Sequence, residues 1–242
     1  MGRAGCTKRL YGAMLARINV TFVVVAVTLA AGVAGTTVRA EAETARLLLL
    51  GDSLVSGYGL PADRGFASQL ARALEREGHD VEVLNAGVSG DTSAGGLARI
   101  DWALADRPTH AIVELGANDA LRGLPPERLE ENLDAIIERL HDAGVEVLLA
   151  GMYAPPNLGE EYGEAFNAVY PRLAERHGVA LYPFFLDGVA LDPRLNQPDL
   201  IHPNADGVRV IVDRILPYVT ELLGQDGERA NSSTAEAAGG QP

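Results

Sequence analysis

The chain has 242 residues, 47% of them apolar, with 20 Lys+Arg against 33 Asp+Glu and a formal net charge of −13. That length and apolar content suffice for one domain with a full core, and the acidic balance argues against nucleic acid and anionic membrane surfaces as partners. A single cysteine, Cys6, excludes a disulfide framework.

In chain order, Arg3, Lys8, Arg9 and Arg17 precede an uncharged, mostly apolar stretch over 18–33, and Val38-Arg39-Ala40 offers small or apolar residues where a signal peptidase reads. This predicts a secretory signal peptide over 1–40, cleaved after Ala40, with a periplasmic or secreted bacterial product. The stretch approaches spanning length, so an uncleaved anchor is the alternative. Cys6 lies before the stretch and is not placed as a lipoprotein acceptor. Five basic residues leave with the signal, so 15 remain against 33 acidic ones, a net of −18, and Lys8 is the only lysine.

Short runs rich in Val, Leu and Ile predict buried strands over 46–51, 81–85, 111–115, 145–151 and 179–182. Helical spacing places Phe66, Leu70, Ala73 and Leu74 on one face, as it does Leu129, Leu133, Ile136, Ile137 and Leu140, and again Phe166, Val169, Tyr170 and Leu173. A last helix begins at Asn204 as N-cap and presents Val208, Ile211, Val212, Ile215 and Leu216; Pro217 is expected to kink it and Gly224 to end it. Strands alternating with helices imply an α/β domain with a parallel sheet covered on both faces, here over 41–224. The Gly, Ala, Ser and Glu composition of 225–242 predicts a disordered tail. His79, His110, His141 and His177 read as surface residues.

Four polar segments interrupt this pattern. Gly51-Asp52-Ser53-Leu54 follows the run Leu47-Leu48-Leu49-Leu50, so a sharp turn can hold the Ser53 hydroxyl at the carboxyl edge of the sheet. The second segment runs from Asn85 to Thr92, the third is Gly116-Ala117-Asn118-Asp119, and the fourth is Asp199-Leu200-Ile201-His202-Pro203. Each alone is also ordinary turn chemistry. Together they hold what acyl transfer requires: a hydroxyl nucleophile, an imidazole to take its proton, and a carboxylate to fix the imidazole tautomer. Ser53, His202 and Asp199 fill those roles. The backbone N–H groups of Ser53 and Gly90 and the side-chain amide of Asn118 can serve a developing oxyanion. Asp52 and Asp119 are read as turn-fixing residues and Asp91 as a helix cap. The loop from Tyr153 to Tyr162 is either a wall of an acyl pocket or a plain connection.

With Ser53, Gly90, Asn118 and the Asp199–His202 pair in this order, the chain resembles the SGNH (GDSL) hydrolases, and more narrowly their bacterial periplasmic arylesterase, acyl-CoA thioesterase I and lysophospholipase group. The segments that carry the resemblance are GDSLVSGYGL, NAGVSGDTSAGGLARI, VELGANDALRGL, APPNLGEEYGEAFNAVYPRLAE and DLIHPNADG, and it spans about 46–223. It implies a three-layer α/β/α, flavodoxin-like fold with a five-stranded parallel sheet in the order 2-1-3-4-5. It also implies hydrolysis of small-molecule acyl or aryl esters and thioesters. No Cys, His and carboxylate spacing suits a metal site, no cofactor is expected, and the protein is expected to be a monomer free of the membrane after signal cleavage. Relatives hold the acyl chain in a groove lined by the loops after the third and fourth strands. Here that means Leu121, Tyr153, Ala154, Pro155 and Leu158. Leu200 departs from the pattern, since relatives often carry Gly there. Two other readings remain: a deacetylase of O-acetylated glycans, and a flavodoxin-like binding module without turnover, which the absence of G-x-G-x-x-G and P-loop patterns disfavours.

Overall fold

The computed structural model describes residues 44–239. The chain divides into Met1–Glu41 and Ala42–Pro242, and the expected signal segment lies outside the described residues. Five strands, β1 (Ala45–Gly51), β2 (Val81–Gly87), β3 (His110–Glu114), β4 (Glu146–Ala150) and β5 (Ala180–Tyr182), form one parallel sheet in the order β2-β1-β3-β4-β5. Leu47 to Leu50 and the whole of β3 are buried, because covered parallel strands have no solvent face on which to alternate. β2, at an edge, is only partly covered.

Nine helices are described: α1 (Ser53–Ser56), α2 (Phe66–Arg76), α3 (Ser93–Ala98), α4 (Ile100–Leu104), α5 (Ala117–Leu121), α6 (Pro126–Asp142), α7 (Glu160–Asn167), α8 (Val169–His177) and α9 (Ala205–Gly239). The chain steps from β1 to β2 in one direction and then back across β1 to β3. Right-handed crossovers therefore send α2 to one face of the sheet and the helices between β2 and β5 to the other. Packing agrees, with α2 against α9 and α6 against both α3 and α8. The reversal leaves a crevice beyond the carboxyl ends of β1 and β3, where open α/β sheets bind ligands.

The expected apolar faces are the buried ones: Phe66, Leu70, Ala73 and Leu74 on α2, and Leu129, Leu133, Ile136, Ile137 and Leu140 on α6. Phe166, Val169, Tyr170 and Leu173 are also buried, but they belong to two helices rather than one. Pro171 has no N–H for the Asn167 carbonyl, so the chain breaks at Ala168. Asn204 caps α9, its Oδ1 accepting the N–H groups of Asp206 and Gly207 at 3.0 Å each.

Two expectations are corrected. His110 is fully buried in the central strand, with Nδ1 2.8 Å from Thr109 Oγ1, because a strand flanked on both edges and both faces leaves no surface for it. α9 does not stop at Gly224 but continues to Gly239, so 225–239 is helical where disorder was expected. A helical glycine costs only about 1 kcal/mol relative to alanine, and the Gln, Glu, Arg and Ala that follow are good helix formers.

Gly116, at the end of β3, has φ 120° and precedes α5. A methyl group there would collide with Tyr170 Oη, which donates to the Leu115 carbonyl at 3.0 Å. Gly116→Ala should therefore destabilise the domain by about 2 kcal/mol or more, combining backbone strain with overpacking. Urea unfolding measures this, and an unchanged midpoint would refute it.

Candidate active site

The turn after β1 is built around Asp52. Its Oδ1 accepts the Leu54 N–H at 3.0 Å as the N-cap of α1, which sets Ser53 at the carboxyl edge of the sheet. The neighbouring strand ends are tied to this turn by Arg99. Its guanidinium donates to the Gly51 carbonyl at 2.9 Å, the Ala86 carbonyl at 2.6 Å and Asp91 Oδ2 at 2.6 Å. Asp91 is thus an ion-pair partner and not the expected helix cap; Thr92 caps α3, its Oγ1 accepting the Gly95 N–H at 3.4 Å. The Val88 N–H donates to the Gly51 carbonyl at 3.0 Å, which brings the loop of Gly90 beside Ser53.

Folding brings the three residues of the expected triad together across a separation of 149 positions. His202 Nε2 lies 2.9 Å from Ser53 Oγ, and His202 Nδ1 lies 2.7 Å from Asp199 Oδ2. Asp199 Oδ1 also accepts the Ile201 and His202 N–H groups at 3.0 Å each. The His202 N–H, the His202 ring and the Ile201 N–H hold the Asp199 carboxyl down at about 2. With Nδ1–H bonded to an ionised carboxylate, Nε2 is the nitrogen free to accept a proton. The loop is closed by the Gln197 N–H to the His202 carbonyl at 2.7 Å and the Leu200 N–H to the Gln197 carbonyl at 2.9 Å. This closure sets Leu200 at φ 60°, a conformation costing a non-glycine residue about 1–2 kcal/mol. Tyr58, which sequence reasoning missed, lies with its ring centroid 4.5 Å from that of His202.

Ser53, Gly90, Asn118 and His202 line one cavity of about 360 Å³. Gly90 has φ 85°, and Arg122 donates to its carbonyl at 2.7 Å. Asn118 Nδ2 donates to Asp52 Oδ2 at 2.9 Å, which commits one amide hydrogen and leaves the second for a ligand. Asp52 therefore does more than fix a turn. Burial pushes its carboxyl up to about 6, against the Leu54 N–H and Asn118 bonds that lower it. Beneath it lies Glu114, fully buried, whose Oε2 accepts the Asp52 N–H at 3.4 Å. Burial first, and then the neighbouring Asp52, push the Glu114 carboxyl well above its ordinary value. Asp119 ties elements together, accepting the Ser93 N–H at 2.8 Å and the Ser93 hydroxyl at 2.5 Å.

A second cavity of about 440 Å³ shares Ala117, Leu121, Leu186 and Ile201 with the first. Leu121, Tyr153, Ala154 and Pro155 line it as expected. Leu158 does not; the 3₁₀ turn Pro156–Leu158 directs it onto the core. The wall that sequence reasoning missed comes from Phe184, Leu186, Ala190 and Leu191 after β5 and from Leu200 and Ile201 in the His202 loop. Tyr153 stacks on Phe184 with centroids 4.5 Å apart, joining the two walls. The apolar cluster Phe184-Phe185-Leu186 was the available signal, but without a regular element nothing in the pattern gave its direction.

The arrangement fits attack of a hydroxyl on a carbonyl whose apolar substituent lies in the groove. Residues 49–210 match the GDSL-like Lipase/Acylhydrolase family. The chain is 42% identical over 188 residues to Esterase TesA of Pseudomonas aeruginosa, covering 77% of this chain and 92% of that one. It is 40% identical over 181 residues to Thioesterase 1/protease 1/lysophospholipase L1 of Escherichia coli K12, covering 74% and 86%. The crystal structure of AlinE4, an SGNH-hydrolase family esterase, aligns with a TM-score of 0.63 at 45% identity, covering 75% of this chain and 97% of that one.

The loop geometry has a measurable signature. Asp199 is moved from its ordinary 3.8 down to about 2, so its contribution to loop stability is complete above pH 3.8 and is lost as pH falls through about 2. A carboxyl-carbon NMR titration should give a midpoint near 2 for Asp199. A midpoint at the ordinary value would mean that the three N–H bonds are not made.

Proposed function

The chain belongs to the GDSL-like lipase/acylhydrolase family, and on that premise we propose that Ser53 is the nucleophile of a serine hydrolase acting on esters and thioesters of hydrophobic acyl or aryl groups. The class of reaction, carboxylic ester or thioester hydrolysis, is that of the relatives it matches. The observation that carries the residue assignment is the chain Ser53 Oγ, His202 Nε2, His202 Nδ1, Asp199 Oδ2, with contacts of 2.9 and 2.7 Å, opening onto an apolar groove.

In this reading Ser53 Oγ attacks the carbonyl carbon while its proton passes to His202 Nε2. Asp199 holds Nδ1–H and stabilises the imidazolium. The carbonyl oxygen becomes an oxyanion beside the Ser53 and Gly90 N–H groups and the second amide hydrogen of Asn118. Collapse expels the alcohol or thiol, which leaves with the proton from Nε2. Water then repeats the sequence on the acyl-enzyme, releasing the acid and restoring Ser53. The apolar groove favours a hydrophobic acyl group over an acetylated glycan, and a binding module would leave the triad geometry without a purpose.

Replacing Ser53 by Ala should abolish hydrolysis of p-nitrophenyl esters with circular dichroism unchanged. Asn118→Ala should lower kcat by about 10²-fold. Asp52→Asn should lower it by about tenfold with KM retained, because an Asn oxygen cannot serve both Leu54 and Asn118 as the carboxylate does. Turnover by folded Ser53→Ala, or an unchanged kcat in Asn118→Ala, would overturn the corresponding role.

The reading extends to location and assembly: residues 1–40 are a cleaved signal and the product acts as a monomer outside the cytoplasm. Arg3, Lys8, Arg9 and Arg17 ahead of the apolar stretch support it. Expressed in a Gram-negative host, the mature protein should begin at Glu41 by N-terminal sequencing and appear in the periplasmic fraction. An intact N-terminus in the membrane fraction would instead establish an anchor.

A further inference from the structure

We propose that Leu191 and Leu200 are specificity-determining residues that extend the acyl groove outward, so that the protein selects long acyl groups over short ones. This rests on the reading of Ser53 as the nucleophile and of the adjoining groove as the acyl site.

Among the described residues three non-glycine positions have positive φ, Arg107, Leu191 and Leu200. Two of the three line the same cavity. Leu200 takes φ 60° because the Asp199 and Gln197 bonds close the His202 loop around it. Leu191 takes φ 65° as the third residue of the turn Val189–Asp192, closed by the Asp192 N–H to the Val189 carbonyl at 3.1 Å. Glycine is the relaxed residue at both kinds of position. The backbone requirement explains the conformation and leaves the side chain unexplained.

Packing does not explain it either. Leu191 is 82% and Leu200 52% exposed, so neither recovers its strain by burial in the free protein. What would cover both is a hydrocarbon chain in the groove. Neither residue lines the cavity around Ser53, whereas Ala117, Leu121, Leu186 and Ile201 line both cavities. An acyl chain leaving the carbonyl at Ser53 therefore passes those shared residues first and reaches Leu200 and Leu191 only when it is long. An acetyl group ends before them.

The test measures kcat/KM for p-nitrophenyl esters from acetate to dodecanoate with wild type, Leu191→Gly, Leu200→Gly and Leu200→Met, together with each Tm. The decanoate-to-acetate ratio should fall about tenfold in each glycine variant, as for lost contact with one or two methylenes. It should be kept in Leu200→Met, and the Tm of the glycine variants should equal or exceed that of wild type. An unchanged ratio, or glycine variants that lose several degrees of Tm, would overturn the proposal by making the leucines inert or structural. Calorimetric binding of 2-dodecanone, an uncharged ketone that cannot be hydrolysed, separates the two levels of inference. Affinity that falls in the glycine variants supports the leucine rim even if wild type cleaved none of the esters, an outcome that would sink only the hydrolase reading. Equal affinity in all variants would remove the rim itself.

Discussion

One buried carboxylate references both halves of the reacting site. Asp52 accepts the Leu54 N–H with one oxygen and the Asn118 amide with the other, at 3.0 and 2.9 Å. The first bond sets the turn that presents Ser53; the second orients the amide proposed to meet the oxyanion. The proposed nucleophile and donor follow β1 and β3, adjacent strands in the sheet, so their separation is fixed by strand spacing and by a single side chain. Burying that charge is unfavourable, and its carboxyl rises to about 6 as a result. Glu114 lies buried against it, and burial together with the Asp52 charge raises that carboxyl too, so that ionising both is disfavoured.

The proposed base arrives by a different logic. His202 lies in a loop with no regular structure of its own, stabilised by Asp199 through three bonds. Such a self-contained loop needs only one anchor to be placed, and α9, capped by Asn204 two residues later, provides it. The geometry that lets a carboxylate reach its neighbour's ring also forces the left-handed conformation at Leu200. Strain and function therefore share one origin.

The apolar groove is a product of the switch in strand order. Loops after β3, β4 and β5 converge beyond the carboxyl edge because parallel strands release their chain on the same side. Tyr153 and Phe184, 31 positions apart, stack there, and Leu121 and Ile201 belong to both cavities. The site is accordingly continuous from the Ser53 hydroxyl to the outer leucines.

Much of this was legible in the chain itself. Apolar runs such as Leu47 to Leu50 marked the buried strands, helical spacing marked the covered faces of α2 and α6, and the chemistry of Ser53, Asn118, Asp199 and His202 marked the candidate site that folding assembles, because burial and reactivity act on residue types and local spacing. Local pattern also misled: His110 looked like a flanking surface residue, Asp91 like a cap and Gly224 like a helix end, and the resemblance to relatives put Leu158 in a pocket wall. Each of these depends on what lies across from the residue, and one sequence does not state that. The partnership of Asp52 with Asn118 spans 66 positions, and that of Ser53 with His202 spans 149. The sequence by itself determined which groups could do the chemistry and which segments would be buried. Only the tertiary structure decided which groups meet, because distance and direction between remote side chains arise from packing the sheet and its loops.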